Sequence, residues 1–180
     1  MVEESQIQEL VKLAKQGNTP AFEGLYDLLS KPVYNFLFSR LRQKETAEDL
    51  LQTVFLKVWN NLASYTPSRK AKFSTWVFQI ANYTLIDFWR TRKETVDISG
   101  IENLMNFAED PKLYEKYDYL WQALYSLPDE YQTVLELRFK QDLDVAEVAE
   151  IMDKSLVGIR VLQHRAIKAL RNKLVQAKKI

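Results

Sequence analysis

The sequence predicts an all-α protein of two small helical domains joined by a flexible acidic linker, the second a four-helix domain with a helix-turn-helix. Apolar residues recur three and four apart through nearly the whole chain, with no strand-like alternation. Only four glycines interrupt 180 residues. Between Thr95 and Pro111 the periodicity fades into an acidic stretch, which marks the linker.

Taken in order, a first helix spans roughly Glu3 to Gln16 and ends at Gly17-Asn18. Pro20 then suits the first turn of a second helix, where a missing N–H costs little; that helix reaches Arg42, with a kink expected at Pro32. A third runs from about Thr46 to Ala63. The polar segment Tyr65 to Lys72 reads as a loop, and a fourth helix covers Ser74 to Arg92. In the linker, Ile98, Ile101, Leu104, Met105 and Phe107 are too apolar for a purely solvated tether, so part of it is expected to dock. Helices resume over Tyr114 to Leu127 and Asp129 to Lys140, with Ser126 to Asp129 as a capping-box-like start. Two more follow, Val145 to Met152 and Leu156 to about Lys178.

Composition narrows the chemistry. A chain without cysteine has no disulfide, thiolate zinc site or cysteine nucleophile, and the single histidine, His164, cannot build a multi-histidine metal site. No catalytic residue, metal, cofactor or small-molecule substrate is expected. No window is apolar enough to span a bilayer, and the first residues are acidic where a signal peptide is basic, so the expectation is a cytoplasmic protein without membrane insertion. The formal net charge of +1 hides a division along the chain. Residues 94–118 hold seven acids against two bases, whereas from Lys154 onward there are eight Lys or Arg and no acid, which suits a surface facing phosphates.

The sharpest local signal runs from Val145 to Ala166, a short amphipathic helix, a tight turn and a longer basic helix. Ala149 sits where a helix-turn-helix needs close approach, Asp153 takes the turn, and Ile159 packs back. Aspartate replaces the turn's usual glycine and tolerates positive φ. In the second helix Ile159, Leu162, Ala166, Leu170 and Leu174 share one face. Arg160, Val161, His164, Arg165 and Lys168 then point outward and form the candidate DNA surface. Arginine can pair with guanine, histidine can reach a base or phosphate, and valine can meet a thymine methyl.

In the third helix Leu51, Val54, Phe55, Val58 and Leu62 form an apolar face, leaving Asp49, Gln52, Thr53 and Leu56 on the other. An exposed leucine among polar residues hints at a protein partner. The fourth helix mixes aromatics with a basic end: Val77, Ile80, Ala81, Thr84, Leu85 and Phe88 form its core stripe. Trp76, Gln79, Tyr83 and Arg90 lie on another stripe, beside Arg69, Lys70 and Lys72 of the preceding loop. Aromatic faces next to cations hold unpaired bases.

Ala47 to Gln52, Phe55 to Trp59, Phe73 to Trp76, Ile80-Ala81, Asp87, Leu127-Pro128, Leu137-Arg138, Glu147 to Ala149 and Arg165-Ala166, in that order, resemble extracytoplasmic-function sigma factors of the sigma-70 superfamily. The resemblance implies that residues 1–94 read and melt the minus-ten promoter element and bind core RNA polymerase, 95–112 form the linker, and 113–180 read the minus-thirty-five element. Asp49, Gln52, Thr53 and Leu56 would then meet the clamp helices of the large polymerase subunit. The loop from Tyr65 to Lys72 would hold a flipped non-template base, with Asn82 added to the minus-ten contacts. The acidic linker would lie in or near the RNA path. The resemblance also admits an anti-sigma partner.

The chain departs from the family pattern at two places. The usual asparagine falls at Tyr83, with Asn82 one step earlier and about 100° around the helix. Val161 and Leu162 replace a small polar and a basic residue, and Gln163 replaces an apolar one, which moves the core contact to Leu162 and predicts an atypical minus-thirty-five preference. The competing reading is a stand-alone helix-turn-helix regulator that dimerises or senses through its amino-terminal helices. A purely protein-binding adaptor is a third, and it leaves Arg160 and Arg165 without a role.

Overall fold

The computed structural model describes residues 4–67, 72–95 and 119–177. Helix α1, Glu4–Lys15, stops before Gly17, whose φ of 85° is one that a side chain would strain. Asn18 then caps α2, Thr19–Leu41, its side-chain oxygen accepting from the Ala21 amide at 2.9 Å, with Pro20 in the first turn. Pro32 lies inside α2 without ending it, and Arg42 closes the helix in the left-handed conformation at φ 56°. Helix α3, Lys44–Asn61, tightens into a 3-10 turn over Leu62–Ser64. Helix α4 is Phe73–Thr95. Residues 96–118, which hold the expected linker from its second residue on and the expected start of the next helix at Tyr114, lie outside the described residues, and with them the docking expected of Ile98, Ile101, Leu104, Met105 and Phe107.

Helix α5 occupies residues 119–125 and α6 Asp129–Leu135, whose last turn continues as a π-helical segment, Glu136–Lys140. Helices α7, Val145–Met152, and α8, Leu156–Ala177, complete the chain. Among the described residues there is no strand. Helices α1 to α4 build one compact unit, and α5 to α8 provide the body of a second.

The first unit closes around residues that the 3.6-residue period puts on facing sides. Val11 of α1, Leu25, Val33 and Phe36 of α2, Val54 and Val58 of α3, and Val77 of α4 are all buried. Phe36 meets Phe78 edge-on, Tyr26 meets Phe55, and Phe22 meets Trp59. Lys57 donates to the Thr84 hydroxyl at 3.1 Å, tying α3 to α4. The second unit buries Ala123, Leu127, Val134, Leu137, Leu143, Ile159 and Ala166.

The capping box expected at Ser126 to Asp129 is absent. Ser126 stands at the end of α5, and its hydroxyl donates to the Ala123 carbonyl. Pro128 is the residue that precedes α6. Gln132 instead folds back to donate to the carbonyls of Tyr125 and Leu127. A reciprocal box exists one helix later: the Glu147 amide donates to Asp144 at 2.8 Å and the Asp144 amide to Glu147 at 2.9 Å. It sets the start of α7, so Asp144→Ala is expected to lower stability by about 1 kcal/mol. Thermal unfolding of the full chain checks this as a reduced Tm.

Candidate nucleic-acid and partner interfaces

Helix α8 is held through its amino-terminal half. Asp153, at φ 51°, makes the turn after α7, and the Lys154 amide donates back to the Ala149 carbonyl at 3.0 Å. Ala149 is buried, as the close approach requires. Ser155 caps α8 by accepting from the Gly158 amide at 3.0 Å. Further along, Arg138 donates to the Leu143 carbonyl and, at 3.2 Å, to Gln163, so the π-helical segment grips the side of α8. Lys154 pairs with Glu130 of α6 at 3.0 Å.

Ile159 and Ala166 are fully buried, with Leu162, Gln163, Leu170 and Leu174 half-buried beside them. Leu162, where the core contact was expected, is half-buried, and Gln163 accepts from Arg138 through its side-chain oxygen. Arg160, Val161, His164, Arg165 and Lys168 are all exposed, one continuous face of α8. Leu156 and Val157, both exposed, extend that face; the outward set read from the sequence begins at Arg160 and does not include them.

On α3, Asp49, Gln52, Thr53 and Leu56 are exposed together, Leu56 at 61%. Thr53 turns its hydroxyl to the Asp49 carbonyl at 3.0 Å, leaving Gln52 and Leu56 as the projecting side chains. An open groove of about 440 Å³ runs beside them, lined by Tyr26, Lys31 and Tyr34 of α2 and by Glu48, Leu51 and Gln52 of α3.

The loop before α4 is pinned at both ends by one aromatic cluster. The Tyr65, Phe73 and Trp76 rings lie with centroids 5.0 to 5.6 Å apart. Lys15 of α1 donates to the Tyr65 carbonyl at 2.8 Å. Burial pushes the Tyr65 phenol above its ordinary value, so the ring stays neutral. Arg69 and Lys70 lie outside the described residues, and Lys72 is exposed at the loop's end.

Along α4 the expected residues separate. Trp76 is half-buried in the cluster, Gln79 is half-buried, and Tyr83 is 45% exposed. Arg90 is exposed and paired with Asp87 at 3.1 Å. Asn82 is buried. Ile86, 52% exposed and one turn beyond Tyr83, joins this surface; its spacing of three from Tyr83 and four from Arg90 is the signal that places it on their stripe. Of the core stripe, Val77, Ala81, Thr84 and Leu85 are buried while Ile80 and Phe88 are half-buried.

Among the described residues no group of acids and histidines could hold a metal ion. No described helix is long and apolar enough to cross a membrane.

Comparison with known proteins matches residues 25–95 to Sigma-70 region 2 and residues 123–172 to Sigma-70, region 4. The ECF RNA polymerase sigma factor SigW of Bacillus subtilis is 29% identical, with 95% of this chain and 98% of that one covered. RNA polymerase sigma factor YlaC of the same organism is 34% identical, covering 88% of this chain and 94% of its own. The sigma factor RpoE in complex with the anti-sigma factor NepR, from Bartonella quintana, shares the fold at a TM-score of 0.66 and 19% identity, over 85% of this chain and 96% of that one.

Proposed function

This chain belongs to the extracytoplasmic-function sigma factors of the sigma-70 family, and from that premise we propose how its two units share promoter recognition. It directs promoter-specific transcription initiation. The observation that carries the division of labour is the pairing, in one chain, of an exposed Gln52 and Leu56 face on α3 with an exposed, acid-free basic face on α8.

In this reading residues 1–94 form the polymerase-binding and minus-ten unit. Asp49, Gln52, Thr53 and Leu56 meet the polymerase. The loop cations Arg69, Lys70 and Lys72 give the DNA backbone a cationic track, and Trp76, Gln79 and Tyr83 lie beside an extruded base. Tyr83, with an accessible ring, offers the stacking face, while Asn82 sits one step around α4 on its buried flank. Arg90 extends the track. Residues 95–112 serve as the acidic linker.

Residues 113–180 read the minus-thirty-five element through Arg160, Val161, His164, Arg165 and Lys168 in the major groove. The chain itself performs no bond-making step; nucleotide addition belongs to the polymerase. An anti-sigma protein that covered the α2–α3 groove and Leu56 would compete directly with polymerase. A stand-alone regulator would need only the carboxy-terminal unit, and it has no use for a region 2 match over residues 25–95.

Reconstituted transcription with core polymerase and a promoter library tests the proposal. The chain is expected to bind core one to one, to bind free promoter DNA poorly, and to initiate from a recoverable pair of elements. Failure to support initiation on any template, or tight operator binding as a dimer without polymerase, overturns it.

A further inference from the structure

The exposed face of α8 is not uniformly polar. Val157 is 66% exposed and Val161 44% exposed, one helical turn apart. At about 100° per residue, Val157 falls in the middle of the exposed arc, between Arg160 and His164 on one side and Val161 and Lys168 on the other. It lies on the opposite side of the helix from Ile159 and Ala166, which are fully buried. Two valines are thus left in water at the end of the helix that a helix-turn-helix presents to base edges.

Their surroundings select the occupant. From Lys154 onward the chain has eight Lys or Arg and no acid, so whatever covers the valines carries negative charge along its length. The helix is slim between them in sequence. Gly158 has no side chain, and a Cβ there would lie 3.1 Å from the Ser155 hydroxyl that caps the helix. A polyanion that also offers an apolar group in a groove wide enough for a helix is duplex DNA containing thymine, whose C5-methyl is the one apolar feature among base edges in the major groove.

We propose that Val157 and Val161 together form an apolar contact that receives thymine C5-methyl groups, making the upstream promoter element of this factor thymine-dependent. This rests on the reading of α8 as the minus-thirty-five reader and names what that reader discriminates. Arg160 and Arg165 hold the helix in the groove by hydrogen bonds and charge; the valines add discrimination that neither cation can supply, because a guanidinium gains nothing from a methyl group.

The test uses holoenzyme reconstituted from the full chain and core polymerase on a promoter recovered by selection. Each thymine of the upstream element is replaced in turn by deoxyuridine, which removes the methyl and leaves the hydrogen-bonding edge unchanged. Wild-type initiation is expected to fall about fourfold for each contacted methyl, the equilibrium factor for one buried carbon. Holoenzyme carrying V157A and V161A is expected to initiate more weakly and to treat thymine and uracil templates alike; both positions are exposed, so folding is not at stake. A selected upstream element without thymine, equal wild-type initiation on both templates, or a variant that keeps the discrimination overturns the proposal. Failure of the underlying reading has a different signature, no initiation from any template whether it carries thymine or uracil.

Discussion

Replacing Leu56 by aspartate is expected to weaken binding to core RNA polymerase about thirtyfold or more, the effect of losing roughly 2 kcal/mol at a central interface position. Leu56 is 61% exposed, so the exchange removes nothing from the core of the first unit. Stability of the free chain should therefore change by no more than about 0.5 kcal/mol. Leu56→Ala should give a smaller loss in the same direction, because it deletes the apolar contact without adding a charge to desolvate. Titration of labelled chain with core polymerase, alongside thermal unfolding of each variant, separates the two quantities. Unchanged affinity in both variants would remove α3 from the polymerase interface. A loss of affinity that tracks a loss of Tm would instead assign Leu56 to folding.

The second large effect lies on the other unit. Exchanging Arg160 and Arg165 together for alanine is expected to reduce promoter-specific initiation about tenfold to a hundredfold, at roughly 1–3 kcal/mol for a paired arginine contact to a base. Both side chains are exposed and stand on the outward arc of α8, away from buried Ile159 and Ala166. Core binding should be retained. The single variants distinguish what each arginine touches. A base contact relaxes specificity at one position of the upstream element. A phosphate contact weakens all sequences alike and lowers the salt dependence of binding by about 0.9 in the logarithmic slope for each phosphate released. If the double variant initiates as well as wild type, the helical-adaptor reading prevails, since only there are these arginines idle.

Much of this was legible in the sequence, and the reason differs between elements. Helix positions are local properties: Gly17-Asn18-Thr19-Pro20 ends one helix and caps the next within four residues, and Asp153 accepts the left-handed turn between α7 and α8. The outward set on α8 was readable because one side of that helix is unambiguously apolar at Ile159 and Ala166. The same logic found Asp49, Gln52, Thr53 and Leu56 on α3. It failed where a helix is apolar on more than one side. Val157 and Ile86, both exposed, stood in neither the core stripes nor the outward sets read from the sequence, although helical spacing places them beside Arg160 and Val161 and beside Tyr83 and Arg90. The capping box was expected one helix too early, because Ser126 to Asp129 and Asp144 to Glu147 both fit the spacing, and Ser126 lies too close to the end of α5 to cap α6.

By itself, then, the sequence determined the all-helical fold, the division into two helical units and the acid-free face of α8, since each follows from periodicity, charge order or short spacing, and its motifs carried the resemblance to sigma factors. Tertiary structure alone decided that Asn82 is buried while Tyr83 is accessible, and that Trp76 is shared with Tyr65 and Phe73. It also decided that Gln163 serves Arg138 across twenty-five positions of chain, instead of filling the core. Those outcomes depend on which distant side chains reach a given helix face. A one-dimensional pattern states the angle of a residue around its helix, whereas burial is set by what packs against that angle.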